Sequence, residues 1–71
     1  MENKQKICDL LLKAVQATSN AWDCEALNYE KLPNGDEQVT IIWESGGKRV
    51  VNVSMDSGTA MIRDIMANLG C

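Results

Sequence analysis

The chain has no histidine among its 71 residues. Imidazole-based triads and histidine-held metal sites are therefore excluded. Cysteine is scarce: Cys8, Cys24 and Cys71 stand far apart, with no CxxC pair. An odd, widely spaced set argues against a disulfide framework and against zinc. It reads as three reduced thiols of a cytosolic protein, Cys8 near an apolar helical stripe and Cys71 open to reaction. Long apolar runs are missing too. Leu10-Leu11-Leu12 is too short for a signal-peptide core or a membrane span, so neither is expected. Positive charge is in deficit: seven Lys and Arg against ten Asp and Glu leave a net charge of −3. Binding to nucleic acid or to anionic membranes depends on clustered Lys and Arg, so both are disfavoured. There is no P-loop and no GxGxxG, and Gly46-Gly47 is a lone turn pair. The acids are scattered, and no catalytic carboxylate pair is expected. Asn52-Val53-Ser54 matches a glycosylation sequon, which without a secretory signal is a chance match.

What is present is an order of elements. The length allows one domain, 1–71, with a thin core; a chain this short buries roughly 60% of its unfolded surface. Residues 4–18 repeat apolar side chains at helical spacing: Ile7, Leu10, Leu11, Ala14 and Thr18, widened by Cys8 and Val15. Lys6, Asp9, Lys13 and Gln16 line the other face, and Ser19-Asn20 ends the helix. Residues 21–26 fit either helix, through Trp22, Ala26 and Tyr29, or strand. Strand from about Cys24 is preferred, because Pro33-Asn34-Gly35 then closes a hairpin in which a left-handed glycine makes a bulge.

The register of that hairpin puts Tyr29 opposite Val39 and Leu27 opposite Ile41. If Ser45-Gly46-Gly47 is also a three-residue loop, Ile41 faces Val51 and Val39 faces Val53. One sheet face then holds Leu27, Tyr29, Val39, Ile41, Trp43, Val51, Val53 and Met55. The other holds Ala26, Asn28, Glu30, Thr40, Ile42, Glu44, Lys48, Val50, Asn52 and Ser54, with Glu44 opposite Lys48. A two-residue Gly46-Gly47 loop would mix the faces, which disfavours it. A second helix is expected over 57–69, capped by Asp56 or Ser57, with Met61, Ile62, Ile65, Met66 and Leu69 as its apolar face and Gly70 as its stop. The expected fold is α+β in the order α-β-β-β-α: a three-stranded antiparallel sheet with both helices packed on one face.

This order resembles the double-stranded RNA-binding domain, over the whole chain and as topology. That family reads RNA with a lysine-rich start to its second helix. The matching segment here, Asp56-Ser57-Gly58-Thr59-Ala60-Met61, has no lysine and opens with an acid, so the resemblance implies a degenerate relative of that fold. In size, acidity and element order the chain is also similar to small phage proteins that block host defence, such as anti-CRISPR inhibitors. That resemblance implies occlusion of a basic nucleic-acid cleft.

The functional expectation is a cytoplasmic, non-enzymatic protein-interaction module without a cofactor or metal, binding a protein partner or itself as a homodimer. The expected surface is the open sheet face: Ala26, Glu30, Thr40, Ile42, Glu44, Val50 and Asn52, with Ile42 and Val50 side by side. The alternative is an oligomer that sequesters a small anion or nucleotide at the second helix's N-terminus, through Ser57, Gly58 and Thr59.

Overall fold

Two left-handed glycines, Gly35 at φ 94° and Gly46 at φ 93°, set the geometry of the sheet. The computed structural model describes residues 3–18 and 23–69. Its elements are α1 (Lys4–Gln16), β1 (Cys24–Lys31), β2 (Glu37–Trp43), β3 (Lys48–Asn52) and α2 (Gly58–Asn68). The strands form one antiparallel sheet in the order β1-β2-β3. The expectations placed on Ser19, Asn20, Trp22, Gly70 and Cys71 lie outside the described residues.

Both hairpins close in the same way. Leu32 N donates to Asp36 O at 2.7 Å and Gly35 N to Leu32 O at 2.9 Å. Trp43 N donates to Gly47 O and Gly46 N to Trp43 O, both at 2.9 Å. The loops are therefore Pro33-Asn34-Gly35 and Glu44-Ser45-Gly46, each ending on a glycine that tolerates a positive φ. The first is the expected loop, and Tyr29 pairs with Val39 and Leu27 with Ile41.

The second loop begins one residue earlier than expected. Val51 pairs with Val39 instead of Ile41, Arg49 pairs with Ile41, and Lys48 pairs with Ile42 instead of Glu44. Either of two adjacent glycines could occupy the left-handed seat. With Gly46 in it, Gly47 pairs with Trp43, and a Cβ built on Gly47 would lie 3.6 Å from the indole. The slide along β2 is an even number of residues, so the residues still paired between β2 and β3 keep their faces.

Near its start β1 carries one extra residue: Cys24 pairs with Trp43, yet Ala26 pairs with Ile42. This bulge at Glu25 breaks the alternation and lets both Cys24 and Leu27 turn inward. Behind it, Gln16 Nε2 donates to Cys24 O at 3.0 Å and ties the end of α1 to the start of β1.

Both helices lie on the inner face, α1 against β1 and α2 against β3, and they touch each other. The core is Cys8 and Val15 from α1, Cys24 and Leu27, Val39 and Ile41, Val51 with Val53, and Met61 and Ile65 from α2. Helix α1 begins at an Asn3 cap, whose side chain accepts from Lys6 N at 3.0 Å. Its buried stripe follows Cys8, Leu11, Leu12 and Val15, a spacing of three, four and seven. Leu10, expected in that stripe, falls about 200° round the helix from Cys8 and is 57% exposed. Met55, expected on the inner sheet face, is 98% exposed. β3 has ended at Asn52, and strand alternation does not extend into the turn that follows.

Candidate functional site

The outer sheet face consists of three cross-strand rows. They are Ala26–Ile42–Lys48, Asn28–Thr40–Val50 and Glu30–Gln38–Asn52. Ala26, Thr40 and Ile42 are half-buried, and Val50 is 58% exposed. The shifted register sets Ile42 and Val50 on a diagonal rather than side by side, still within reach of one another across the pleat. Glu30 and Asn52 are exposed at the far end, and Asn52 Oδ1 accepts from Ser54 N at 2.8 Å. Glu44 lies in the second loop, at the rim of the face rather than opposite Lys48. Neither helix covers this face.

The first turn of α2 holds the other expected residues. Ser57 is the N-cap, its Oγ accepting from Ala60 N at 3.3 Å and lying 3.3 Å from Thr59 Oγ1. Gly58 is buried and Thr59 exposed. The carboxyls of Asp56 and Asp64 lie beside this turn and oppose a second negative charge there.

A polar cluster that the sequence reading missed sits where β2 begins. Glu37 Oε1 accepts from Lys4 Nζ at 3.0 Å, and Glu37 Oε2 accepts a hydrogen bond from the Tyr29 hydroxyl. Lys4 Nζ also donates to Val53 O at 3.4 Å. The Glu37 backbone is held as well: its N donates to Ser54 Oγ at 2.8 Å, and its O accepts from Val53 N at 3.0 Å. The Tyr29 phenol, and then Lys4, hold the Glu37 carboxyl below its usual range against the opposing pull of burial. The same bond to Glu37 pushes the Tyr29 phenol upward, with burial adding to it. One group stays charged and the other protonated through neutral pH, so the cluster ties the first turn of α1 to β1 and β2. The odd-numbered alternation of Val39 and Ile41 already puts Glu37 on the inner face, and an acid there needs a partner. Asp56 and Asp64 had no such signal.

Among the described residues, no helix is long and apolar enough to cross a membrane. No group of three acidic or sulfur side chains among them could hold a metal ion. Geometry thus defines a small α+β domain with one covered and one open sheet face. Compared with models of protein families, with curated proteins and with solved structures, the chain matches none.

Proposed function

We propose that this chain is a non-enzymatic protein-interaction module that docks its partner on the open sheet face. One observation carries the reading. Ala26, Ile42, Thr40 and Val50 form a small and β-branched patch across all three strands, with neither α1 nor α2 over it. Where one face of an antiparallel sheet meets water, that face is ordinarily polar. The rim of the patch includes the exposed acids Glu30 and Glu44, with Lys48 as a facing cation, on a chain of net charge −3. Such a surface suits a partner with a basic groove, where carboxylates would take the place of nucleic-acid phosphates. This extends the reading to a phage or mobile-element inhibitor that occludes a host-defence protein in the cytoplasm.

The test substitutes Ile42 and Val50 together with Lys, with Leu10→Lys as a control on an exposed residue of α1. Partners retained by the pure chain are identified by mass spectrometry and titrated back, while light scattering reads the mass in solution. The double variant is expected to lose the partner, or the homodimer, while the control keeps it. Unchanged affinity and unchanged mass would sink the reading. The rival, a small-anion or nucleotide binder at Ser57, Gly58 and Thr59, instead requires a melting temperature that rises with phosphate or nucleotide.

A further inference from the structure

The turn leaving β3 is closed by Asp56 N donating to Val53 O at 3.1 Å. Met55 stands inside that turn at φ 65°. A side-chain-bearing residue in the left-handed region is strained, and the strain persists only where the surroundings enforce it. The Met55 side chain lies in solvent and gains nothing from this conformation. What the conformation achieves is the placement of the next residue. Asp56 turns back toward the protein, and its Oδ2 is sealed from solvent with no hydrogen-bond partner among the described residues. A sealed polar atom without a partner is costly. The carboxyl within hydrogen-bonding reach of Asp56 is that of Asp64, on α2. Two carboxylates at that range repel, whereas a carboxylic acid and a carboxylate form a strong hydrogen bond.

We propose that Asp56 and Asp64 share one proton, and that this proton latches the turn between β3 and α2. With the proton in place, Asp56 is held inward and Met55 is kept in its strained form. With the proton gone, the two carboxylates repel, Asp56 swings to solvent and the turn relaxes. The charges facing Asp56 come from three elements: Asp64 from α2, Lys4 from α1 and Glu37 from β2. Lys4 would favour the ionised form, but its ammonium is engaged by Glu37 at 3.0 Å. In agreement with this arrangement the Asp56 carboxyl is pushed above its ordinary value of 3.8, first by the bond to Asp64, then by burial and by the Asp64 charge. A group raised in the folded state contributes stability below its unfolded pKa and loses it as pH rises through the folded one. The latch is therefore closed in acid and opens as pH rises through the raised Asp56 value. Each unit of elevation is about a tenfold change in the closed-to-open ratio.

The test follows the side-chain carboxyl carbons of Asp56 and Asp64 by NMR in the full chain as pH is raised, together with amide hydrogen exchange in the turn. Asp56 is expected to titrate above 3.8, and protection of the Asp56 amide to fall across that step. Asp64→Asn supplies a donor at every pH, so the turn should stay protected throughout while the Asp56 midpoint drops. An Asp56 midpoint at or below its ordinary value in the unaltered chain would overturn the proposal, and that reading depends on no variant. So would a fall in protection that survives Asp64→Asn. Saturable closure of the turn by magnesium or calcium at neutral pH would also overturn it, by making the pair a cation site.

Discussion

Lys4 and Glu37 meet at 3.0 Å, one from the first turn of α1 and the other from the first residue of β2. Tyr29 completes the contact from β1, so one carboxylate ties a helix and two strands together. Its contribution has two limits in pH. Glu37 is held below its ordinary 4.5, so its stabilisation is present above that value and lost as pH falls through the lowered one. Tyr29 is raised above 10, so its stabilisation is present below that value and lost as pH rises through the raised one. Glu37→Gln should lower the melting midpoint by a few degrees at neutral pH and flatten its acid limb. Tyr29→Phe should leave the acid limb shallower and remove the tyrosine's share of the alkaline loss. Melting midpoints measured across the pH range check both. An unchanged acid limb in Glu37→Gln would mean that the ion pair contributes nothing.

The two hairpins make a sharper test because three glycines should respond differently. Gly35 and Gly46 sit at φ 94° and 93° with open space where a Cβ would go. Their substitution by Ala meets no clash and carries only the left-handed penalty, about 1–2 kcal/mol each. Gly47 has no positive φ, and its Cβ would rest at ordinary contact distance from Trp43. Gly47→Ala should therefore stay within about 0.5 kcal/mol of the parent. Urea unfolding of the three variants reads the difference directly. If Gly47→Ala were the costly one, the loop would be Ser45-Gly46-Gly47 and the pairing of β2 with β3 would have to slide back.

That comparison also marks what could be read from the chain alone. Pro33-Asn34-Gly35 has one glycine, so the first loop and the register of β1 on β2 were legible. Gly46-Gly47 offers two candidates for one seat, and local propensity does not choose between them. The choice depends on Gly47 lying against Trp43, which is a tertiary contact. Face membership survived because the slide was even. Three consecutive leucines blurred the helical period, and Leu10 was drawn into a stripe that runs through Leu11 and Leu12 instead. Glu37 was legible in principle, from its place in the inner alternation. The approach of Asp56 to Asp64 was not: it follows a turn in which Met55 takes a left-handed conformation that its residue type disfavours. Alternation alone puts Ala26, Glu30, Thr40, Ile42, Val50 and Asn52 on one sheet face, as the pairing does, whereas the earlier loop start moves Glu44 to the rim.

Ile41 and Ile42 are neighbours on β2 with opposite surroundings. Ile41 is fully buried between the helices and the sheet, whereas Ile42 lies half-buried on the open face. Ile41→Ala should cost about 2–5 kcal/mol, the transfer loss plus the cavity left in a thin core. A domain of this length has only about 4–11 kcal/mol in total by the usual per-residue scale, so that variant should be near the edge of folding at 37 °C. Ile41→Val, at about 0.5–1.5 kcal/mol, keeps the measurement within range. Ile42→Ala should cost under about 1 kcal/mol. Denaturant midpoints decide the order, and equal losses at the two positions would mean that the open face is covered in solution.

Cys8 is sealed in the core, and burial, helped by the charge of Asp9, pushes its thiol up to about 11. Cys24 is raised for the same first reason, while a hydrogen bond with the Ala26 backbone pulls the other way and the Asp23 charge adds to the rise. The reactive species is the thiolate, so both residues combine low access with low ionisation. At pH 8 only about a thousandth of Cys8 would be thiolate even with solvent at hand. In a Cys71→Ser chain at that pH, an aromatic disulfide reagent should find neither thiol in the folded protein over minutes and both at once in urea. The folded rate should rise with added denaturant in step with unfolding, because opening, not chemistry, supplies the thiols. Alkali should act in the same direction. The stabilisation from the neutral Cys8 thiol is complete below 9.0 and is lost as pH rises through about 11. A folded chain that reacts at pH 8 as fast as the unfolded one would mean that α1 does not close over β1 as described.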